Sequence, residues 1–499
     1  MSMLRARSGR RSHMASQPAK TLDVSAFLQQ LTFTKFHLHI LLLSCLVTFF
    51  DGLDFALVSV TLPEIRDDMA LTEAQMGDVS TAAFIGQMIG SLIGSYIADI
   101  VGRRPVIIIS TLGAAVLTFV TGFAGSPEVL FALRLLGGLA IGGLLAPIWS
   151  LNIESMPKSM RATSVTIIML GFSIGSAGAA QAANLLASPD GWYAGLYAAG
   201  AVPSFMAEPS WQMVFFFCGG LTALLAVVLF TFLPESARWM VASGKPASEI
   251  APMLSRFDPQ FSAGEYAAFT LSDERKTDDK QDPLSKMKEL FKGWLVYITP
   301  LIWAAYFFSS FSIYLKTAFG VVFLEELGLT VDTARDISSV GGIAGAIAGV
   351  LLLIFTERRG PGGIILAPLI AIPFVLLLGF GIVLDGPAFI PVVLVGMVLV
   401  GAGHAAVISI TSIYYPSAVR ATGGGWASFM AKFAAVAAPL IGARLFLGSK
   451  QAVLDGYVAT AICLAGIVIC ILALSHYAKK LKVTSEAAEA PKVATQAAE

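Results

Sequence analysis

Pro157-Lys158-Ser159-Met160-Arg161-Ala162-Thr163 recurs as Pro416-Ser417-Ala418-Val419-Arg420-Ala421-Thr422, an offset of 259 residues. A second, independent match sets Asp99 and Gly102 against Glu357 and Gly360 at an offset of 258. Two offsets that agree to one residue are hard to obtain by chance and mark the chain as a duplication. What is duplicated is apolar. Of 499 residues, 56% are hydrophobic and only 13% are charged. The mean hydropathy is +0.76, far too high for a large water-soluble protein. Cutting wherever about 18 or more residues run with few charges yields twelve candidate spans. They lie at 36–62, 76–101, 105–124, 128–152, 162–187, 211–233, 293–324, 334–356, 361–384, 388–413, 423–447 and 452–476. Six precede and six follow the hydrophilic stretch 234–292, so each copy of the repeat is a six-helix unit.

Lys and Arg test this division independently, because cytoplasmic loops hold an excess of positive charge. With both termini cytoplasmic, 26 of the 33 Lys and Arg residues fall in the tails and inner loops. Only Arg66, Arg335 and Lys450 fall in outer loops, and Arg134, Lys316, Lys432 and Arg444 lie within spans. The net charge is zero and the basic residues are scattered over loops, which excludes a nucleic-acid-binding patch. All four cysteines, Cys45, Cys218, Cys463 and Cys470, lie in spans without metal-ligand spacing and read as packing residues. The first long apolar run begins near Phe36 and continues as a full span, so no cleavable signal is expected. Residues 1–24 are left out of the fold reading, since Ser12-His13-Met14-Ala15-Ser16 resembles a cloning remnant, or Met14 is the start.

Thr48-Phe49-Phe50-Asp51-Gly52-Leu53-Asp54-Phe55 sets two carboxylates inside an apolar run. An ionised Asp at mid-bilayer costs about 2.5–3.5 kcal/mol on insertion scales. The i, i+3 spacing puts both on one helical face, where they titrate as a coupled pair. They serve transport, or they pair with a base, or they cap a helix broken at Gly52. In the fourth span, Arg134 opens a glycine-rich run, Gly137-Gly138 to Gly142-Gly143. It must find an anion, whether Asp51, Asp54, a substrate carboxylate or an outer-loop acid, unless it snorkels to the interface. In the seventh span, Trp303, Tyr306, Phe307, Ser310 and Tyr314 form an aromatic stripe that either stacks on a substrate ring or packs against other helices. Lys316 lies with Ser309 and Ser312 on a different face, about 120° round. His404, within the tenth span, either titrates near neutral pH or is a hydrogen-bonded packing residue.

The second span ends in Gly94-Ser95-Tyr96-Ile97-Ala98-Asp99-Ile100-Val101-Gly102-Arg103-Arg104. Gly-x4-Asp-x2-Gly-Arg-Arg resembles the cytoplasmic loop signature of the major facilitator superfamily. An Asp beside two Arg residues forms a charge latch between helix ends, which reads as gating. The copy at Glu357 is degenerate, because Pro361 and Gly362 replace the paired arginines. Arg134 resembles the fourth-span arginine of proton-coupled facilitators. Pro234-Glu235-Ser236-Ala237-Arg238 resembles the run that sugar porters, organic-ion transporters and aromatic acid:proton symporters carry after span six. Together with Asp51-Gly52-Leu53-Asp54 and Arg420-Ala421-Thr422-Gly423-x2-Trp426-Ala427, these motifs resemble the aromatic acid:proton symporter family over roughly residues 30–480. The resemblance implies a transport role for Asp51 and Asp54. Ser176 stands where the superfamily's antiporters carry the proline of a Gly-Pro pair, which leans toward symport. Two departures bear on the substrate: Ala431-Lys432 stands for a usual Gly-Arg pair, and Ala318-Phe319-Gly320 for Trp-Leu-Pro. Lysine binds a carboxylate as a point charge, without bidentate geometry.

The expected fold is all-α: twelve transmembrane helices in two six-helix pseudo-repeats of the major facilitator type, both termini cytoplasmic. Residues 1–35 form a cytoplasmic tail, 36–233 the first bundle, 234–292 a linker with short amphipathic helices, 293–476 the second bundle and 477–499 a tail. The expected activity is import of a small organic anion, an aromatic carboxylate of benzoate or hydroxybenzoate type, across a bacterial inner membrane. A proton is the coupling ion and no other cofactor or metal is expected. Asp51 or Asp54 takes the proton; Arg134, Lys316 or Lys432 captures the anion; the halves then rock about a cavity that includes Trp303, Tyr306, Tyr314, His404 and Trp426. Gly94, Asp99, Gly102, Arg103, Arg104 and Glu357 form the gate. The partners are the anion, protons and the lipid bilayer, with the chain acting as a monomer. A sugar or organic-cation porter is the nearest alternative, disfavoured by a seventh span without Gln and by the intramembrane cations Arg134, Lys316 and Lys432. A non-transporting metabolite sensor is the next. An enzyme is not expected, since no nucleophile, base and orienting group share a recognisable arrangement.

Overall fold

The computed structural model describes residues 20–202, 208–261, 266–272, 287–359 and 361–496. Among the described residues twelve helices are long and apolar enough to cross a membrane. They are α1 (Lys35–Met69), α2 (Glu73–Val101), α3 (Arg103–Thr121), α4 (Pro127–Ser155), α5 (Arg161–Leu186), α6 (Trp211–Phe232), α7 (Leu295–Glu326), α8 (Val331–Arg359), α9 (Leu366–Gly379), α10 (Phe389–Val407), α11 (Ser417–Phe446) and α12 (Lys450–Gln496). The protein is thus a multi-pass membrane protein of two halves.

The duplication is visible in packing. In the first half α1 lies on α5, α2 on α4 and α3 on α6; in the second α7 lies on α11, α8 on α10 and α9 on α12. The 259-residue offset extends to single hydrogen bonds. Arg161 Nε donates to the Met156 carbonyl at 3.3 Å, and Arg420 Nε donates to the Tyr415 carbonyl at 3.2 Å. Each arginine thereby occupies an orphan acceptor where the preceding helix ends. The halves meet through α1 on α7, α2 on α11 and α5 on α8.

Four features depart from the sequence expectation. First, α1 runs unbroken through Gly52 and past Pro63 to Met69. Its last turns are held by Glu64 and Arg66, which make ion pairs with the other half. Second, the fold is not purely helical. β1 (Lys20–Asp23) and β2 (Tyr266–Thr270) form a two-stranded parallel sheet joining the N-terminal segment to the linker. Asp23 then caps the helix Val24–Gln30, accepting from Ser25 N at 3.0 Å. Third, the part of the linker from Ala237 to Phe257 packs on the first half. Its helices Ala237–Ala242 and Ala247–Phe257 bury Met240, Leu254 and Phe257 with Val24 and Leu28 against Ile40, Met156 and Ile168. The amphipathic helices expected in the linker are these two. Finally, α12 continues as helix beyond residue 477 to Gln496.

Candidate functional site

Close backbone contact between α1 and α5 sets the position of the paired aspartates. A Cβ on Gly52 would lie 2.0 Å from the Phe172 carbonyl oxygen, and one on Gly175 would lie 1.8 Å from that of Phe49. Only glycine permits this approach, so Gly52 is a packing residue and not a helix break. Asp54 then meets α4 and α3. Arg134 Nη2 donates to Asp54 Oδ2 at 2.8 Å, and the Thr118 hydroxyl donates to Oδ1. The guanidinium also lies 5.7 Å from the Phe215 ring centre. Arg134 is 1% exposed and does not snorkel.

Asp51, one turn away, is treated differently. It is 2% exposed, yet neither carboxyl oxygen has a hydrogen-bond partner among the described residues.

Between the halves a cleft is walled by α1, α2, α4 and α7, with Asp54, Phe84, Gln87, Arg134 and Thr317 among its lining. Phe55 and Phe84 line it, and Tyr314 of the second half packs against both. Phe55 lies 5.5 Å from Phe84 and 6.2 Å from Tyr314, and Phe84 meets Tyr314 edge-on at 5.2 Å. Tyr314 continues to His404 at 6.5 Å, whose Nδ1 is 3.0 Å from the Ser309 hydroxyl. Lys432 of α11 donates from Nζ to Ser91 Oγ of α2 at 2.8 Å. Ser91 is one turn beyond Gln87 on the same helical face. No carboxylate lies within ion-pairing distance of Lys432 among the described residues.

The structure does not bring every expected residue here. Lys316 lines a separate cavity inside the second half, because its face of α7 turns away from α1. Tyr306 is 5% exposed and donates its hydroxyl to the Ile408 carbonyl at 2.6 Å, which makes it a core residue of that half. Trp303 stacks on Trp426 at 5.9 Å and meets Phe291 edge-on, packing α7 on α11 away from the cleft lining. Tyr314 and His404 alone among the expected aromatic residues belong to the cross-half cluster.

The Asp99 to Arg104 loop clasps elements of the first half to one another. Arg103 Nη2 lies 3.2 Å from Asp99 Oδ1 and 3.1 Å from Glu154 Oε1 at the end of α4. Arg104 donates to the Phe230 and Leu233 carbonyls at the end of α6, each at 2.7 Å. Gly102 has φ of +111°, and a Cβ there would strike the Glu235 carboxylate. Gly94 packs against Gly143 of α4, where a Cβ would lie 2.3 Å from the Gly143 Cα. The side chain of Glu357, and Gly360, lie outside the described residues.

Several residues at this clasp and at the opposite end were not singled out from the sequence. Glu235 accepts from the Arg103 backbone N–H at 3.0 Å and from that of Arg104, at the α3 N-terminus. Burial pushes its carboxyl above the ordinary range, against the backbone donors that pull the other way. Trp239 Nε1 donates to the Asp99 carbonyl at 3.0 Å, and Ser236 donates to Glu154. At the end of the bundle away from the linker, Arg335, counted above as a loop residue, is 0% exposed. It bonds Glu64, the Val60 carbonyl at 2.8 Å and Asp332 at 3.1 Å. Arg66 pairs with Glu325 at 2.9 Å, Arg444 with Asp78 at 2.9 Å, and Gln181 with Asp336 at 2.8 Å. Among the described residues every ion pair that joins the halves lies at that end. The signal in sequence was the Asp332-x2-Arg335-Asp336 cluster opposite Glu64 and Arg66, charges too closely spaced for plain loop solvation.

The sequence profile of the Major Facilitator Superfamily matches residues 44–439. The chain is 30% identical over 429 residues to the gallate transporter of Pseudomonas putida, covering 86% of this chain and 90% of that one. It is 27% identical over 454 residues to a 4-hydroxybenzoate transporter of Pseudomonas putida, covering 90% and 96%. Among solved structures, it is similar to an inward-facing bacterial homolog of the human lysosomal transporter Spinster, with a TM-score of 0.67 at 16% identity over 90% of this chain and 99% of that one. It is also similar to the xylose transporter XylE from E. coli, with a TM-score of 0.62 at 18% identity over 88% and 98%. Such low identities speak to the fold alone. With the profile spanning both halves and the relatives running nearly end to end, the chain belongs to the Major Facilitator Superfamily, and within it to the aromatic acid:proton symporter family.

Proposed function

We propose that the protein carries a small aromatic carboxylate across a bacterial inner membrane together with a proton, and that Asp51 takes the proton. The observation that carries this reading is the asymmetry of the two aspartates. Asp54 is neutralised by Arg134 and hydrogen-bonded by Thr118. Asp51 is buried with no donor and no cation among the described residues. A charged carboxylate in that setting is expensive, and its proton removes the cost. Because Asp54 already compensates Arg134, the cation left to hold the substrate carboxylate is Lys432, which among the described residues donates to the neutral Ser91 hydroxyl and to no carboxylate. The Phe55, Phe84 and Tyr314 rings supply an apolar, edge-on wall for an aromatic body. The names of the relatives, a gallate and a 4-hydroxybenzoate transporter, agree with that substrate class.

The excess of Lys and Arg on the linker side assigns that side to the cytoplasm. The ion pairs at the opposite end then close the outer mouth, and the cleft releases its cargo inward. Asp51 protonated with the anion at Lys432 is neutral, and so is the empty pair of Asp51 carboxylate and Lys432 ammonium, so the halves rock when both proton and anion are bound or both are absent and not with one alone.

The test is uptake of labelled benzoate and hydroxybenzoate into proteoliposomes with and without an inward proton gradient. The parent should accumulate label only with the gradient. Asp51→Asn should lose accumulation yet keep label exchange at zero gradient. Lys432→Gln should raise KM by roughly tenfold, the loss of one charge-assisted hydrogen bond. Uptake indifferent to the gradient and to Asp51→Asn would overturn the mechanism.

A further inference from the structure

Lys316 enters a cavity of its own. On α7, Tyr314 and Ala318 face the interface between the halves, and a step of two residues turns a helix by about 200°. Lys316 therefore points into the second half, into a pocket between α7, α9, α10 and α12. The wall is apolar, with Phe323, Val375, Met397 and Val400, and holds no Asp or Glu. Thr460 spends its proton on the Gly456 carbonyl at 2.9 Å. Neither the Lys316 ammonium nor the Tyr457 hydroxyl has a hydrogen-bond or ion-pair partner among the described residues. Gly320 and Gly396 stand in the wall, and a Cβ on either would meet nothing closer than 3.9 Å and 3.7 Å respectively. Unlike Gly52 and Gly175, these glycines bring no helices together; they leave space empty.

An ammonium at membrane depth needs an anion, and an apolar pocket that presents two unpartnered polar groups is of the kind that orients a small molecule. We infer that the second half contains its own carboxylate site, separate from the cleft, for a monoanion with a compact apolar body whose carboxylate meets Lys316 and Tyr457. One lysine and one hydroxyl match one carboxylate, and Met397 adapts its unbranched side chain to the body of the ligand. Two sources offer this chemistry, an aromatic acid from solution and a fatty acid from the bilayer.

The test is photolabelling of the full chain in nanodiscs of dioleoylphosphatidylcholine with 4-benzoylbenzoate, with adducts mapped by mass spectrometry. Adducts on Met397 or Tyr457 are expected, reduced roughly tenfold in Lys316→Met. Gly396→Leu, which fills the cavity with Lys316 intact, should remove them as well, and it decides the matter should Lys316→Met fail to fold. Adducts on Phe84 or Tyr314 in the cleft should survive both changes. Competition by benzoate identifies the aromatic source, and competition by decanoate alone identifies the bilayer source. Absence of adducts at Met397 and Tyr457 in the parent, or adducts there indifferent to Lys316→Met and Gly396→Leu, would overturn the site. The readout is the position of a bond and not transport, so it stands or falls independently of proton coupling.

Discussion

Asp51 and Asp54 are three residues apart on one helix, and their surroundings make them chemically different. Asp54 has a guanidinium and a hydroxyl, whereas Asp51 has neither. A buried pair such as Arg134 with Asp54 has a characteristic response to mutation. Removing one partner strands a charge and costs about 3–5 kcal/mol, while removing both is far milder. Arg134→Gln should therefore lower the thermal unfolding temperature strongly, and adding Asp54→Asn should restore most of it. Equal loss in the single and double variants would show that the pair is not the unit. Both aspartates and Arg134 were legible in the sequence because a charge inside an apolar run stands out whatever surrounds it. Which aspartate owned the arginine was not legible, since that depends on how α1, α3 and α4 cross.

At the scale of elements, α7 shows how far periodicity goes. Its pattern places Trp303, Tyr306 and Tyr314 along one stripe, with Lys316 on another face. The helix is long and its neighbours change along it. Near the linker end the stripe meets α11 through Trp426, and further along it meets α1 and α2 through Phe55 and Phe84. One stripe is therefore core at one end and cleft wall at the other. The loop between α2 and α3 behaves similarly: its motif was recognisable, but its partners Glu154, Glu235 and Trp239 come from distant segments. Glu235→Ala leaves the Arg103 and Arg104 backbone N–H groups without their acceptor. It should cost about 1–2 kcal/mol in thermal unfolding, and Glu235→Gln, which keeps a carbonyl acceptor, should cost less.

At the scale of the whole molecule, the ion pairs that join the halves among the described residues all lie at one end. Arg335 is central to that closure, with Glu64, Asp332 and the Val60 carbonyl around one buried guanidinium. Arg335→Gln removes the cross-half ion pair at the centre of that end. Distances between spin labels placed through Asp190→Cys and Asp385→Cys, with the native cysteines replaced, should then shift toward a longer, more open population. An unchanged distribution would mean that Arg66 with Glu325 and Arg444 with Asp78 suffice to hold the end shut.

The amino-acid sequence by itself determined the number of spans, their division into two equivalent halves and the presence of costly charges within them. Each of these follows from one-dimensional properties, namely runs of apolar residues, an internal offset and isolated ionisable groups. Only the tertiary structure decided which faces meet. It separated Lys316 from Lys432, gave Asp54 rather than Asp51 to Arg134, and moved Arg335 from a loop to a buried cross-half contact. The reason is that a membrane helix can turn any face to its neighbours at similar cost in lipid. Its rotation is settled by small residues such as Gly52 and Gly175, which let one backbone lie against another.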